Sequence, residues 1–361
     1  LYPAQYYTWT DTNNNGEVDS SDAHSQVLIT SANAPFVHSN SKRTDCANPN
    51  SCTYAEEIQN FANWYTYYRK RSFVAKAIMG KLIYDASASR MGLQVFNSGR
   101  QAVATSMSTA ANRRALLSTL YSFDIRCDYS VCPGTPARTA AKSVGDYFAG
   151  VSSPILPAGS GGECQQNFNI LLTDGYWNGT SPYVGNTDGD NNTTFDGGIY
   201  ADLQFSTLAD VTMKYYETDL KSTLANNVPT LSGIDEASHQ HLVTYTVAFG
   251  VTGTLDPTTS SPTDTGFSWP NPYSGDAQKI DDMWHAAFNS RGQYLSAQNP
   301  EELTQSLSDA LTNIEDRTGS AAAVAFNTST LNADSSVFLV LFNSNRWSGM
   351  VYRYDLDPNT G

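Results

Sequence analysis

The residues with the clearest chemical pattern lie in a twelve-residue loop near the start of the chain, from Asp11 to Asp22. Oxygen-bearing side chains stand at loop positions 1, 3, 5, 9 and 12, with glycine at position 6 and an apolar residue at position 8. Calcium takes six to eight oxygen ligands from a flexible loop, and the glycine allows the sharp turn around the ion. The predicted ligands are the side chains of Asp11, Asn13, Asn15, Asp19 (directly or through water) and Asp22, and the backbone carbonyl of Glu17.

Two features of this loop favour a weak extracellular calcium site over a cytosolic sensor. Position 12 is Asp22 instead of a bidentate Glu, and only three of the side-chain ligands are carboxylates. The residues before Asp11 show no helical pattern, so the loop is EF-hand-like or dockerin-like and not a full EF-hand. The alternative is a solvated turn rich in Asn and Asp.

A second candidate site combines two short segments that are distant in the sequence. Thr135 precedes Pro136 at the predicted start of a helix, and Asp174 follows the apolar run 168–173. In an open α/β sheet, ligands bind beyond the carboxyl ends of the strands. A hydroxyl and a carboxylate that meet there would suit a hard cation, Mg²⁺ or Ca²⁺. The alternatives are an N-cap for Thr135 and a turn cap for Asp174.

Two other polar segments carry weaker signals. The acidic, Asn-rich segment 186–192 lacks a full calcium loop, so a surface loop is predicted. His239 and His241 have no acidic or cysteine partner close in sequence, which favours entry to a strand over a metal site. The motifs GxSxG, HExxH, GxGxxG and the P-loop are not found, and no carboxylate pair stands out as an acid and a base. We therefore predict a protein that binds metals and is not an enzyme.

The overall charge excludes two classes of protein. The 361 residues include 21 Lys and Arg against 35 Asp and Glu, which gives a net charge of −14. A nucleic-acid binder needs a basic surface to neutralise phosphates, and a membrane-surface module needs a polybasic patch. No apolar run is long enough to cross a bilayer. The sequence therefore predicts neither a nucleic-acid partner nor a membrane span.

The cysteine spacing indicates an oxidising compartment. Cys46 and Cys52 form one closely spaced pair and Cys127 and Cys132 another, and neither pair has the CxxC spacing of zinc or redox sites. Two short local disulfides fit an extracellular location. Cys164 is left over, and we expect it to be buried and inert or paired with something outside this chain.

The elements that must position these residues alternate between helix and strand. Predicted helices cover 53–85, 110–121, 136–150, 208–220, 277–288 and 300–314, and predicted strands cover 91–96, 168–173, 241–250 and 293–295. This alternation predicts an α/β domain with a mainly parallel sheet and helices on both faces. We divide the chain into an irregular segment (1–54), the α/β domain (55–318) and a β segment (319–361). The β segment opens an all-β unit or, alternatively, forms a hairpin on the α/β domain.

The residues of the second site resemble those of known families. Gly134-Thr135-Pro136 and Leu171-Leu172-Thr173-Asp174-Gly175 look like the second and third metal-site motifs of von Willebrand factor A domains. More specifically, seven segments resemble the PilC/PilY group, the tip-associated adhesins of bacterial type IV pili. These segments are 60–69, 173–178, 186–191, 208–211, 226–229, 239–241 and 282–287.

The resemblance implies a von Willebrand factor A-like, Rossmann-like domain at 55–318, followed by the first strands of a β-propeller. It also implies that the metal at Thr135 and Asp174 is shared with a DxSxS motif. We expect that motif on the first strand, before Leu1, which leaves an incomplete site in this chain.

The function implied by the resemblance is adhesion and pilus assembly at the cell surface. The protein would be exported through the periplasm to the type IV pilus tip, with minor pilins and a host or abiotic surface as partners. Two alternatives stay open: a secreted calcium-dependent hydrolase and a purely structural pilus cap.

Overall fold

The structure is a computed structural model that describes residues 3–10, 12, 20–37, 44–86, 89–123 and 134–319, and the backbone of three further strands at 324–326, 336–343 and 348–355. The chain forms two compact units, Leu1–Ala77 and Ile78–Gly361. The boundaries that we drew at 54/55 and 318/319 stay predictions.

The first unit contains short antiparallel strand pairs and one long helix. Its elements are β1 (Gln5–Thr10), β2 (Ala23–Leu28), β3 (Phe36–Val37), β4 (Ser51–Cys52) and α1 (Tyr54–Tyr67). β1 pairs with β2 and β3 with β4. Segment 1–54 is therefore more regular than predicted. The prediction missed β1 and β2 because their apolar alternation is too weak to identify as strand. The predicted capping box of α1 is present, with Thr53 and Glu56 bonding each other's backbone N–H groups.

The cysteine predictions have three different outcomes. Cys46 and Cys52 form the predicted disulfide, with 5.4 Å between their Cα atoms, and they lie in the small core with Ile29 and Phe36. Cys127 and Cys132 lie outside the described residues. Cys164 is exposed and forms no disulfide with a described residue, so the alternative of a buried thiol is wrong, and pairing with something outside this chain stays a prediction.

The predicted helix 53–85 is two helices, α1 and α2 (Arg71–Asp85). α1 ends where the N–H of Tyr68 still donates to the carbonyl of Trp64, and a new helix starts where the N–H groups of Phe73 and Val74 donate to the carbonyl of Lys70. Apolar residues keep a helical spacing on both sides of the break, so periodicity alone does not reveal it.

The second unit carries the α/β elements. They are β5 (Arg90–Val95), β6 (Gly99–Ser106), α3 (Ala110–Ser122), α4 (Ala137–Ala149), β7 (Asn167–Thr173), α5 (Leu208–Glu217), β8 (Leu242–Phe249), α6 (Asp276–Asn289), β9 (Tyr294–Ala297) and α7 (Pro300–Gly319). β5 and β6 form an antiparallel hairpin, of which only β5 was predicted. This hairpin packs with α3 around Ile83, Met107 and Leu116.

The sheet beside the candidate site has three parallel strands in the order β7-β8-β9. Every residue of the central strand β8 is buried, as expected where helices cover both faces. Leu242 and Ala248 pack into the core with α4, α5 and α6, whereas Val243 and Tyr245 pack with Ala310 of α7. The prediction of a parallel sheet flanked by helices is confirmed, and it is compatible with a Rossmann-like fold.

The two predicted β runs near the end of the chain are strands. β10 (Val324–Phe326), β11 (Ser336–Asn343) and β12 (Ser348–Asp355) form an antiparallel sheet in that order. Their assignment to a propeller stays a prediction. Within the described part of the chain, none of the helices combines the length and the apolar character that crossing a membrane requires.

Candidate functional site at the carboxyl end of the first parallel strand

The two segments of the second candidate site lie side by side. β7 ends at Thr173, and the exposed Asp174 follows at the carboxyl end of the parallel sheet. A Cβ placed on Gly175 would lie 3.5 Å from the Thr135 hydroxyl oxygen. The backbone N–H of Asn178 donates to the carbonyl of Thr135 at 2.9 Å. The loop after β7 and the segment before α4 are thus direct neighbours.

Gly134 lies close to the loop after β7. A Cβ at Gly134 would overlap the side-chain amide of Asn178, so a larger residue would require this exposed side chain to move. The carbonyl of Gly134 accepts a hydrogen bond from Asn97 at 2.8 Å. Thr135 does not cap α4, because the N-cap position is Pro136 and no side-chain cap bond is present. The N-cap interpretation of Thr135 is therefore wrong.

Trp177 and Asp282 hold the loop after β7 in place. The indole N–H of Trp177 donates to Asp282 Oδ2 at 2.7 Å, and the guanidinium of Arg138 lies 3.9 Å above the same ring. Asp282 also accepts the N–H groups of Leu208 and Ala209, the first residues of α5. Burial raises the pKa of Asp282 to about 7, against the lowering effect of these donors. The loop after β7 is therefore bonded to a buried carboxylate that also holds the start of α5.

The donor set at this edge consists of hard oxygen atoms. The hydroxyl of Thr135 and the carboxylate of Asp174 are the kinds of ligand that Mg²⁺ and Ca²⁺ accept, and both ions keep water or a partner's oxygen in the remaining positions. A carboxylate on a binding partner could take one such position. The two segments therefore bring to one edge of the sheet the kinds of oxygen atom that a hard cation binds.

The letters of the DxSxS motif, which we expected before Leu1, do occur once in this chain, from Asp85 to Ser89. Asp85 is not the missing part of this site. Asp85 is the last residue of α2, and β5 follows. The other end of β5 is the one near Gly134, through Asn97. At about 3.3 Å per residue, the 6 residues of β5 span roughly 20 Å between its two ends.

The loop at 11–22 lies largely outside the described residues, including Asp11, Asn13, Asn15, Glu17 and Asp19. Its flanking elements are β1 and β2, which pair antiparallel up to Thr10 and Ala23. Asp22 is buried and accepts the N–H of Thr12 at 2.9 Å, which joins the two ends of the loop. The incoming element is thus a strand, in agreement with the absence of a helical pattern before Asp11.

Two of the weaker sequence predictions need correction. The segment 186–192 is only partly a surface loop, because Asp188 is completely buried. His241 does have an acidic partner: its Nε2 lies 3.3 Å from Asp235 Oδ2. Burial alone would raise the pKa of Asp235, but the bond with His241 keeps it below its usual value. The partner is only six residues away and could have been found in the sequence.

Comparison with known proteins gives three similar sequences, all named type IV pilus biogenesis factor PilY1 and all from Pseudomonas aeruginosa. The protein from strain PAK is 29% identical over 84% of this chain and 30% of the relative. The protein from strain PAO1 is 28% identical over 90% of this chain and 33% of the relative. The protein from strain UCBPP-PA14 is 27% identical over 89% of this chain.

Neither a protein-family model nor a solved structure matches the chain. The chain spans about a third of the length of the curated relatives that it matches. The similarity covers 84–90% of this chain. The resemblance to the PilC/PilY group of type IV pilus factors, expected from the motifs, is therefore confirmed.

Proposed function

We propose that this chain is the metal-dependent binding part of a type IV pilus factor. A cation held by Thr135 and Asp174 at the carboxyl end of β7 would accept an acidic group of a surface ligand or a minor pilin. The observation that carries this proposal is the close approach of Thr135 to the segment after β7. Similarity to proteins named as pilus biogenesis factors supports a place on the pilus.

The sequence also predicts the type of domain, the location of the protein and a calcium site, and we include these in the proposed function. The α/β unit would be a von Willebrand factor A-like domain, and the strands after it would begin a propeller. The protein would act at the cell surface, at the pilus tip, as an adhesin and assembly factor without enzymatic activity. The loop at 11–22 would hold calcium for stability.

The test replaces Asp174 by Ala in the complete protein of the piliated bacterium and, in parallel, in the purified complete protein. Asp309→Ala, which removes an exposed carboxylate on α7, is the matched control. We expect Asp174→Ala to weaken Mg²⁺ binding at least tenfold by calorimetry and to lower surface attachment at equal pilus number. The proposal is wrong if attachment and Mg²⁺ binding are the same in both variants.

A further inference from the structure

A second group of possible metal ligands lies inside the second unit, apart from Thr135 and Asp174. One ligand atom from each of Asp188, Asp202 and His285 lies within 4.8 Å of the other two. The two aspartates come from the segment between β7 and α5, and His285 comes from α6. Their side chains are at most 6% exposed. This cluster therefore joins a long segment, whose one regular element among the described residues is a 3-10 turn at Gly198–Tyr200, to the core of the domain.

Burial makes two neighbouring carboxylates costly unless a proton or a cation compensates their charge. Burial and then the charges of Asp210 and Asp202 raise the pKa of Asp188 to about 9. Burial also raises the pKa of Asp202. No Lys or Arg among the described residues forms an ion pair with either side chain. The compensating charge must come from protons or from a bound cation.

The orientation of His285 favours a cation. Its Nε2 lies 2.6 Å from the carbonyl oxygen of Tyr200, which can only accept, so Nε2 carries the hydrogen. Burial lowers the pKa of His285 to about 3, which keeps the ring neutral. The lone pair of Nδ1 therefore faces Asp202, while Asp188 Oδ2 lies 3.4 Å from Nε2 of the same ring. Histidines that bind metals commonly donate their other ring N–H to a carbonyl or carboxylate in this way.

Asp202 Oδ2, the atom that faces this lone pair, is also an acceptor without a donor. Asp202 Oδ2 lies 3.7 Å from His285 Nδ1, and it is buried with no hydrogen-bond partner among the described residues. A cation about 2.1 Å from each atom can bridge that separation. Asn289, one helical turn after His285, holds Asp188 Oδ2 at 2.9 Å, while its own buried Oδ1 has no partner among the described residues.

We propose that Asp188, Asp202 and His285 form a structural site for a first-row divalent transition metal such as Zn²⁺. An imidazole nitrogen beside carboxylate oxygens suits this class of ion better than Ca²⁺, which prefers oxygen ligands alone. Trp269 stacks on the imidazole ring at 4.1 Å and keeps it in place. The metal would fasten the segment that contains Asp188 and Asp202 to α6. This site is independent of the proposed adhesion site.

The test compares Zn²⁺ binding in the purified chain with that of Asp202→Asn. The new side-chain carbonyl can still accept the N–H of Gln204, a bond of 2.6 Å in the original protein. Its NH₂ group replaces Oδ2 and can donate to His285 Nδ1. The variant should therefore fold without metal at least as well as the metal-free original protein. A loss of Zn²⁺ binding by this variant would therefore not be the result of a loss of stability.

After chelation and dialysis, we expect the original protein to bind one Zn²⁺ per chain and to melt at a higher temperature with the metal. Asp202→Asn should bind Zn²⁺ at least tenfold more weakly and lose the thermal shift. Asp190→Asn, an exposed carboxylate in the same segment, and Cys164→Ser should both bind as the original does. Asp174→Ala should also keep Zn²⁺ binding, which separates this site from the adhesion site.

The proposal is overturned if the original protein binds no Zn²⁺, or if Asp202→Asn shows the same affinity and thermal shift. In the first case protons alone neutralise the cluster. In the second case Zn²⁺ binds elsewhere on the chain.

Discussion

At the scale of single residues, Asp282 connects the candidate site to the core. It is completely enclosed and accepts three N–H groups: one from the indole of Trp177 and two from the start of α5. All three partners are donors, so both carboxylate oxygens are needed as acceptors. A single side chain on α6 thus orients the loop after β7 and caps α5.

Asp282→Asn tests this role without changing the size of the side chain. Its NH₂ group must face at least one of the three donors, and a buried unsatisfied donor costs about 1–3 kcal/mol. We expect the free energy of unfolding to fall by roughly that amount in urea titrations. Asp276→Asn at the exposed start of α6 should change it by less than about 1 kcal/mol. Equal effects of the two variants would contradict this role of Asp282.

At the scale of elements, the packing of α4 on α5 depends on a glycine. A Cβ on Gly145 would overlap the ring of Tyr215, a buried side chain whose hydroxyl is bound to Asp146 at 2.6 Å. Gly80 of α2 has a similar contact with Tyr121 of α3, but that tyrosine is 54% exposed and its ring end can move. The tyrosine next to Gly80 can therefore move aside to make room for a methyl group, whereas the tyrosine next to Gly145 is held in place.

The matched substitutions Gly145→Ala and Gly80→Ala measure this difference. Inside a helix, Ala is favoured over Gly by about 1 kcal/mol. At Gly145 the overlap should reverse the sign and lower the free energy of unfolding by about 1–3 kcal/mol, because α4 must move away from α5. At Gly80 the change should stay within about 1 kcal/mol of zero. A stabilising Gly145→Ala, measured by urea unfolding, would show that the helices are less tightly packed.

At the scale of the whole molecule, the predicted calcium loop belongs to the smaller unit, Leu1–Ala77. The loop connects β1 to β2, and Asp22 joins its two ends. A cation that binds only the folded hairpin stabilises it in proportion to the logarithm of the free cation concentration. Calcium is therefore expected to act on this unit.

Calcium at about ten to one hundred times the dissociation constant should stabilise the unit by about 1–3 kcal/mol. Differential scanning calorimetry should show a higher melting temperature with Ca²⁺ than with EGTA. Asp11→Ala should lose this dependence, whereas Asp202→Asn should keep it. An original protein that melts at the same temperature in Ca²⁺ and in EGTA would exclude the site.

The sequence by itself determined most elements of the parallel α/β part and the edge of the sheet that carries the candidate site. Three of these features each depend on neighbouring residues: the apolar run of β7, the capping box of α1 and the proline before α4. Such patterns report local backbone preference and burial, which a sequence records directly. The resemblance to pilus factors was also readable there, because short motifs keep their order along the chain.

Only the tertiary structure decided which distant polar side chains share one environment. Asp188 belongs to a segment with the composition of a surface loop, yet it is buried against Asn289, which lies 101 residues later in the chain. The break between α1 and α2 and the role of Asp282 were equally hidden. Burial of a polar residue depends on what packs over it, and contacts between distant segments form only when the whole domain folds.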